Sequence, residues 1–291
     1  MENASGLGET SGHIRKLIVT RKQFLVGLVL AALVLPGLAQ AATPRMLLVG
    51  DSWAYLLYAN KSFQKALADE GIKDCEVLGL YTAIVGSTSK QWTNPLWLDK
   101  ISDELERHPT VDIVHVSLGG NGFLRQWNGG MSDADRDKLF QGITDEIEVV
   151  VKHILAVRDN IRVTINNYDY VNDTNNSTIP ELNRAGMVLS VMKRNLAQRL
   201  DRVEYIHNYG LMQYHFGIPG VAKPGEVPYP GNAPDFKPWP GGNDEYGNPP
   251  EAMMDKIHLS PEGYDVLAKH CVKVLYKKWL TEPVQTAAAG R

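Results

Sequence analysis

Cysteine is scarce in this chain of 291 residues, which contains only Cys75 and Cys271. Two cysteines cannot form a cysteine zinc site or the disulfide network that holds small secreted domains together. Two alternatives remain: a single disulfide in an exported protein, or two buried free thiols. The fold must therefore depend on a hydrophobic core, for which the length and the 44% apolar content are sufficient.

The chain also lacks an excess of positive charge. It has 30 Lys and Arg residues against 33 Asp and Glu residues, so its formal net charge is -3. Proteins that bind nucleic acid carry basic patches, because many of their contacts are made to phosphates. We therefore expect no nucleic-acid partner.

The first 41 residues differ in composition from the rest of the chain. The apolar run FLVGLVLAALVLPGL lies between the small-residue stretch AQAA and four basic residues, Arg15, Lys16, Arg21 and Lys22. This is the layout of a secretory signal peptide, with cleavage expected after Ala41 and export to the periplasm or the extracellular space. The alternative is an uncleaved anchor, in which residues 24–42 span a membrane.

After residue 41, apolar runs typical of strands alternate with longer segments whose apolar residues have helical spacing. The strand candidates are RMLLVG, CEVLGL, VDIVHVSLG, RVTINNYDYV and VEYIHNY. The helix candidates are residues 58–71, 95–107, 134–157 and 180–202. Such alternation favours right-handed crossovers and a parallel sheet covered on both faces. The sequence therefore predicts one doubly wound α/β domain over residues 42–291, with about five strands.

The alternation stops between His215 and Pro250, where 16 of 36 residues are Gly or Pro. Neither a helix nor a central strand persists through such a composition. A loop of this length in a compact domain is more often functional than incidental. We expect it to border the functional site, where aromatic residues around Phe236 and Trp239 would act on substrate choice. The alternative is a surface loop that packs elsewhere.

The first strand candidate ends in the sequence GDSW, in which Asp51 and Ser52 follow the strand directly. One interpretation is a helix cap, because Asp and Ser satisfy the free amides at a helix start. The other is a nucleophilic serine at the carboxyl edge of a parallel sheet, where doubly wound proteins bind their ligands.

The sequence DKIH supplies a base for such a serine. A serine hydroxyl becomes an effective nucleophile when an imidazole accepts its proton and a carboxylate orients that imidazole. Asp255 and His258 are three residues apart, so one short turn can deliver both groups. Taken alone, this quartet more often means a solvated Asp and a surface His.

Ester chemistry also needs donors for the oxyanion that forms at the carbonyl. Asn121 lies among glycines in SLGGNGF, at the end of the third strand candidate, where its amide can project towards Ser52. The alternative is a tight turn. Gly86 follows the second strand candidate, and its backbone N–H offers a second donor.

In this order the four sequence blocks resemble those of the SGNH, or GDSL-like, hydrolases. GDSW is similar to the nucleophile block, Gly86 to the glycine block, Asn121 in GGNG to the Gly-X-Asn-Asp block, and DKIH to the Asp-X-X-His block. The resemblance extends from about residue 45 to residue 280. Two positions depart from the family pattern: Gly122 replaces the final Asp of the third block, and Trp53 replaces a leucine.

The resemblance implies a flavodoxin-like, three-layer α/β/α fold and ester hydrolysis without a metal or a cofactor. It implies that Ser52 attacks the ester, that His258 acts as general base and then as general acid, and that Asp255 orients His258. The oxyanion would be held by the backbone amides of Ser52 and Gly86 and by the side chain of Asn121. The expected substrate is a small-molecule or glycan ester.

Two other enzyme motifs resemble parts of this sequence. GDSWA is similar to the elbow of α/β-hydrolases, but that elbow follows several strands, whereas fewer than a dozen residues separate Ala41 from Ser52. The sequence STSK at 87–90 has the spacing of penicillin-binding enzymes but lacks a Lys-Thr-Gly partner. Two alternatives stay open on the same fold: acyl transfer to a sugar hydroxyl, and glycan binding without turnover.

Overall fold

The computed structural model describes residues 42–230 and 241–282, all of which belong to one unit, Ala42–Arg291. The proposed signal segment, residues 1–41, lies outside the described residues, as do Phe236 and Trp239 of the Pro/Gly-rich segment. Within the two described ranges, none of the helices is both long enough and apolar enough to cross a membrane.

A parallel sheet of five strands forms the centre of the described domain. The strands are β1 (Thr43–Gly50), β2 (Cys75–Leu78), β3 (Ile113–Ser117), β4 (Arg162–Asn166) and β5 (Val203–Ile206), in the spatial order β2-β1-β3-β4-β5. Each neighbouring pair is parallel. This is the flavodoxin-like order, in which the ligand crevice opens beyond the carboxyl ends of β1 and β3.

Ten helices accompany the sheet in the described part of the chain. They are α1 (Ser52–Ala59), α2 (Ser62–Asp69), α3 (Ser89–Trp92), α4 (Pro95–Arg107), α5 (Gly120–Gln126), α6 (Asp133–Val157), α7 (Ile179–Gln198), α8 (Leu211–Phe216), α9 (Pro261–Cys271) and α10 (Lys277–Thr281). A single 3₁₀ turn covers Pro250–Ala252, and a π turn, Val272–Tyr276, joins α9 to α10.

The helices form the two outer layers of the domain. Helices α1, α2 and α9 pack together, as do α4, α6 and α7. With both faces covered, β1 is buried over consecutive residues rather than alternately, whereas β2 and β5 at the sheet edges each have one exposed residue. In β1 the side chains from Met46 to Val49 are all buried, and Leu47 and Val49 pair with Val114 and Val116 of β3. The predicted doubly wound α/β/α domain is confirmed.

The structure corrects two helix boundaries. Residues 58–71, predicted as one helix, contain the end of α1 and the whole of α2, because Lys61 adopts a left-handed conformation at φ 54° and turns the chain. The segment predicted as 180–202 ends at Gln198. Helix α4 has the predicted bounds, and α6 begins one residue earlier than predicted.

Cys75 and Cys271 are both buried and do not form a disulfide with each other. Of the two alternatives for the cysteines, the structure therefore supports two buried free thiols. Burial raises the pKa of Cys75 to about 12 and raises that of Cys271 further above its usual range. Both thiols therefore behave as small apolar side chains of the core.

The end of β1 lies unusually close to β3. Gly50 has φ 155°, and a Cβ atom added there would lie 2.1 Å from the carbonyl oxygen of Ser117. That oxygen accepts the backbone N–H of Asp51 at 3.1 Å, so it cannot retreat without breaking the junction between β1 and α1. Only glycine fits at this position.

We expect Gly50→Ala to lower the free energy of unfolding by about 3 kcal/mol, because the clash is with a backbone atom that cannot move away. Gly142→Ala is the matched control, since a Cβ added at this exposed position of α6 meets nothing within 4 Å. The control should raise the free energy of unfolding by about 0.5–1 kcal/mol. Urea unfolding of both variants measures the difference, and equal stability of Gly50→Ala and wild type would contradict this account.

Candidate active site

The turn between β1 and α1 presents Ser52 at the carboxyl edge of the sheet. Ser52 is the first residue of α1, and Asp51 caps that helix by accepting the backbone N–H of Trp53 at 3.1 Å. The side chain of Asp51 is buried, and Ser52 is 7% exposed. The cap interpretation of GDSW is confirmed for Asp51, and Ser52 lies beside the cap at the sheet edge, where its role as a nucleophile stays a prediction.

The loop that carries Asp255 and His258 is closed and anchored by backbone hydrogen bonds. The N–H of Met254 donates to the carbonyl of His258 at 2.9 Å, which closes the loop. The N–H of Asn172, in the segment after β4, donates to the carbonyl of Lys256 at 2.7 Å. These two bonds hold the loop over the sheet edge and aim His258 at Ser52.

Ser52, His258 and Asp255 form a continuous hydrogen-bonded array. His258 Nε2 lies 2.8 Å from Ser52 Oγ, and His258 Nδ1 lies 2.8 Å from Asp255 Oδ2. The other oxygen of Asp255 accepts the backbone N–H groups of Ile257 and His258, both at 2.7 Å. With an acceptor carboxylate at Nδ1, the neutral imidazole carries its proton there and leaves the Nε2 lone pair for the Ser52 hydroxyl.

The carboxylate of Asp255 is held in its ionised form. Burial alone would raise its pKa, but the hydrogen bonds from the His258 ring and from two backbone amides outweigh that effect, so the pKa lies below its ordinary value. The Asp255 side chain is 50% exposed, whereas that of His258 is 22% exposed. The array is thus open to solvent at the carboxylate end and shielded at the serine end.

Asn121 shares a cavity with Ser52. It is the second residue of α5, and its Nδ2 donates to the carbonyl of Ser87 at 2.9 Å. A side-chain amide has two N–H donors, so this bond fixes the orientation of the amide and leaves one N–H for another acceptor. Asn121 is therefore able to serve as an oxyanion donor.

Gly86 lies in the loop that follows β2 and runs beside the end of β1. In this loop Ile84 donates its N–H to the carbonyl of Gly50 at 2.8 Å, and Ser87 Oγ donates to the same carbonyl at 3.2 Å. The carbonyl of Gly86 accepts Arg125 Nη2 at 3.2 Å. Gly86 is held at the edge that carries Ser52, although it does not line the cavity that Ser52 shares with Asn121.

The cavity beside Ser52 is small and mostly apolar. Its volume is about 40 Å³. The apolar side chains that line it are Trp53, Phe123, Leu124, Val171, Tyr209 and Ile257. Within the described ranges, no group of three or more His, Cys, Asp or Glu side chains is arranged to hold a metal ion.

Tyr168 and Lys193 also belong to this site, and the sequence motifs did not identify them. The Tyr168 hydroxyl donates to Asp51 Oδ2 and accepts the N–H of Gly120 at 3.0 Å. Lys193 Nζ lies 4.7 Å from the centre of the Tyr168 ring and donates to the carbonyl of Asn166 at 3.2 Å. The one available signal was the position of Tyr168 just after β4, and a lysine in the middle of α7 gives none.

These buried groups have strongly shifted pKa values. Burial raises the pKa of Asp51 to about 6, although hydrogen bonds from Tyr168 and Trp53 act in the opposite direction. Burial lowers the pKa of Lys193 to about 7, while the nearby Asp51 favours its charged form. Asp51 and Lys193 each favour the charged form of the other, which acts against the effect of burial on both.

The described part of the Pro/Gly-rich segment, residues 215–230 and 241–250, lies against the segment that follows β4. For example, Asn248 Nδ2 donates to the carbonyl of Tyr170 at 2.6 Å. No residue of these two ranges lines the cavity beside Ser52. The proposed role in substrate choice of the part around Phe236 and Trp239 stays a prediction.

We expect Lys193→Met to abolish the rise in the free energy of unfolding that the wild type shows between about pH 7 and pH 10. The folded-state pKa of Lys193 lies below its ordinary value of 10.5, so the unfolded chain binds more protons between about pH 7 and pH 10. The free energy of unfolding of the wild type should therefore rise relative to the variant by about 1 kcal/mol per pH unit across this window. Urea unfolding at pH 7, 8 and 9 measures the difference, and a constant difference would mean that Lys193 keeps its ordinary pKa.

Neither a family model nor a curated protein sequence matches this chain. Solved structures do match it. A carbohydrate esterase of family 3 from Talaromyces cellulolyticus is 9% identical and matches over 83% of this chain and 100% of its own, with a TM-score of 0.51. A Streptococcus pneumonia protein, provisionally described as a platelet activating factor, is 15% identical over 88% of this chain and 98% of its own, with a TM-score of 0.50.

A GDSL-like lipase from Bacteroides thetaiotaomicron also matches, at 14% identity over 88% of this chain and 97% of its own, with a TM-score of 0.43. At such identities the likeness is one of fold. The strand order and the convergence of the four sequence blocks on one sheet edge agree with it. The described domain shares its three-layer fold with the carbohydrate esterase and with the Streptococcus pneumonia protein.

Proposed function

We propose that this protein is a serine esterase in which Ser52, His258 and Asp255 form the catalytic triad. The observation that carries the proposal is the array of two 2.8 Å hydrogen bonds from Ser52 Oγ through His258 to Asp255 Oδ2. An imidazole placed between a hydroxyl and a carboxylate in this way is the arrangement that makes serine nucleophilic.

The reaction begins with attack of Ser52 Oγ on the ester carbonyl carbon while His258 Nε2 accepts the hydroxyl proton. Asp255 stabilises the imidazolium that results. The negative charge that develops on the carbonyl oxygen is held by the free N–H of the Asn121 amide and by the backbone amides of Ser52 and Gly86. The Asn121 amide is fixed by its hydrogen bond to Ser87 before the substrate arrives, so it needs little reorganisation.

The tetrahedral intermediate collapses when the bond to the alcohol breaks and His258 returns the proton to the leaving oxygen. The acyl group then remains on Ser52 Oγ as an ester. Water attacks this acyl-enzyme with His258 again as the base, and the carboxylic acid leaves with the serine hydroxyl restored.

The cavity supports a short acyl group as the substrate's acid portion. A cavity volume of about 40 Å³ is small, which suits an acetyl group better than a fatty acyl chain. The alcohol portion would then lie outside the cavity, on the open surface of the sheet edge. The likeness of fold to a carbohydrate esterase of family 3 supports a glycan as that portion.

We further propose that residues 1–41 direct export, so that the substrate is an ester of the cell envelope or of the extracellular space. The basic residues ahead of an apolar run support this step. If the segment stays uncleaved, the same run would tether the enzyme to the membrane.

Ser52→Ala should lower the turnover of p-nitrophenyl acetate by about 10³- to 10⁶-fold without loss of fold, because it removes the nucleophile and little volume. Ser102→Ala is the matched control. Ser102 Oγ also lies 2.7 Å from a histidine, His153 Nε2, and this pair belongs to α4 and α6 rather than to the cavity. The control should keep wild-type turnover. Activity retained in folded Ser52→Ala would overturn the triad, and glycan binding without any turnover in the wild type would favour a binding module instead.

The acyl-chain preference tests the size of the cavity. We expect the wild type to hydrolyse p-nitrophenyl acetate about 10-fold or more faster, in kcat/KM, than the octanoate, because the longer chain does not fit. Leu124→Ala enlarges the cavity and should raise the butyrate-to-acetate ratio. Leu96→Ala, a change at a leucine of α4 that is 73% exposed, should leave the ratio unchanged. A ratio that Leu124→Ala does not move would refute the assignment of this cavity to the acyl group.

A further inference from the structure

Tyr168 connects two turns that the sequence separates widely. Its hydroxyl donates to Asp51 Oδ2 in the turn after β1, and it accepts the N–H of Gly120 at 3.0 Å in the turn after β3. The first turn ends in Ser52 and the second in Asn121. One phenol oxygen therefore bonds to the residue immediately before the nucleophile and to the residue immediately before the oxyanion donor.

The two partners have little freedom to move independently of Tyr168. Both carboxylate oxygens of Asp51 are engaged, one by the Tyr168 hydroxyl and the other by the N–H of Trp53 at the start of α1. At Gly120 an added Cβ atom would lie 2.7 Å from Tyr168 Cζ, so only a glycine permits this approach of the ring. The contact between the tyrosine and each turn is thus close as well as polar.

The ring itself is held in place on two sides. Trp53 packs edge-on against it, with ring centres 5.2 Å apart and an interplanar angle of 87°. Lys193 Nζ lies 4.7 Å from the ring centre, and such cation–π contacts are strengthened where water is excluded. A hydroxyl on a ring that is fixed in this way can define the positions of its two partners.

We propose that Tyr168 is a positioning residue that sets the distance between Ser52 Oγ and the Asn121 amide, and thus the geometry of the oxyanion hole. The proposal rests on the proposed esterase function. The hydroxyl is occupied by Asp51 and Gly120, so it acts through these residues. Misplacement of a preorganised donor by a fraction of an ångström weakens the hydrogen bond that forms in the transition state.

Tyr168→Phe tests the role of the hydroxyl, because it keeps the ring, its contact with Trp53 and its contact with Lys193. We expect kcat for p-nitrophenyl acetate to fall about 10- to 100-fold, with KM changed less than about 2-fold, since the loss falls on the transition state. Tyr276→Phe is the matched control. It removes a buried hydroxyl that bonds to His115 at 2.7 Å and to Thr164 at 2.6 Å, inside the core. The control should lose stability and keep kcat.

A double-mutant cycle separates positioning from general destabilisation. If Tyr168 acts by aiming Asn121, Tyr168→Phe should cost less than about 3-fold in kcat when Asn121→Ala is already present. An equal cost in both backgrounds, or a kcat loss in Tyr276→Phe as large as that in Tyr168→Phe, would overturn the inference. If the wild type is active and Tyr168→Phe leaves kcat unchanged, this inference alone is refuted. A folded wild type that hydrolyses no ester refutes the proposed function with it.

Discussion

The parallel pairing of β1 with β3 is the constraint on which the candidate site depends. The two strands run side by side to their last residues, and the absence of a side chain at Gly50 lets the backbones meet where the chain leaves the sheet. From that point one strand leads to Ser52 and the other, after a short turn, to Asn121. Because the strand order reverses direction between these neighbours, no connecting helix covers the crevice. Ser52 and Asn121 are therefore adjacent as a result of topology.

Two carboxylates serve the same serine in opposite electrostatic environments. Asp255 is half exposed, accepts three hydrogen bonds, and keeps a pKa below its ordinary value, as an orienting anion requires. Asp51 is buried beside the Tyr168 hydroxyl, and its pKa is raised to about 6. The positive charge of Lys193 partly compensates the negative charge of Asp51. In the proposed esterase reaction, an uncompensated anion there would oppose the negative charge that develops on the ester oxygen.

The sequence predicted the elements whose information is local. The blocks of Ser52 and Asn121 lie between a strand end and a helix start, where a few neighbouring residues determine the turn, so the sequence could predict that these residues meet at one sheet edge. Tyr168 could not be assigned, because its partner Asp51 is 117 positions away and no spacing rule connects them. Lys193 could not be assigned either, since a buried lysine in a helix has no sequence signature. The break at Lys61 was missed because an ordinary residue adopts a left-handed conformation there.

The hydrogen bond between His258 and Ser52 joins residues 206 positions apart. Closing so long a loop is slow compared with forming a helix or pairing neighbouring strands, because the intervening chain must be ordered first. Ser52 Oγ cannot meet the His258 ring until β5 and the loop before α9 have formed. The hydrogen bond between Ser52 and His258 is therefore among the last contacts of the domain to form, and a partly synthesised chain lacks it.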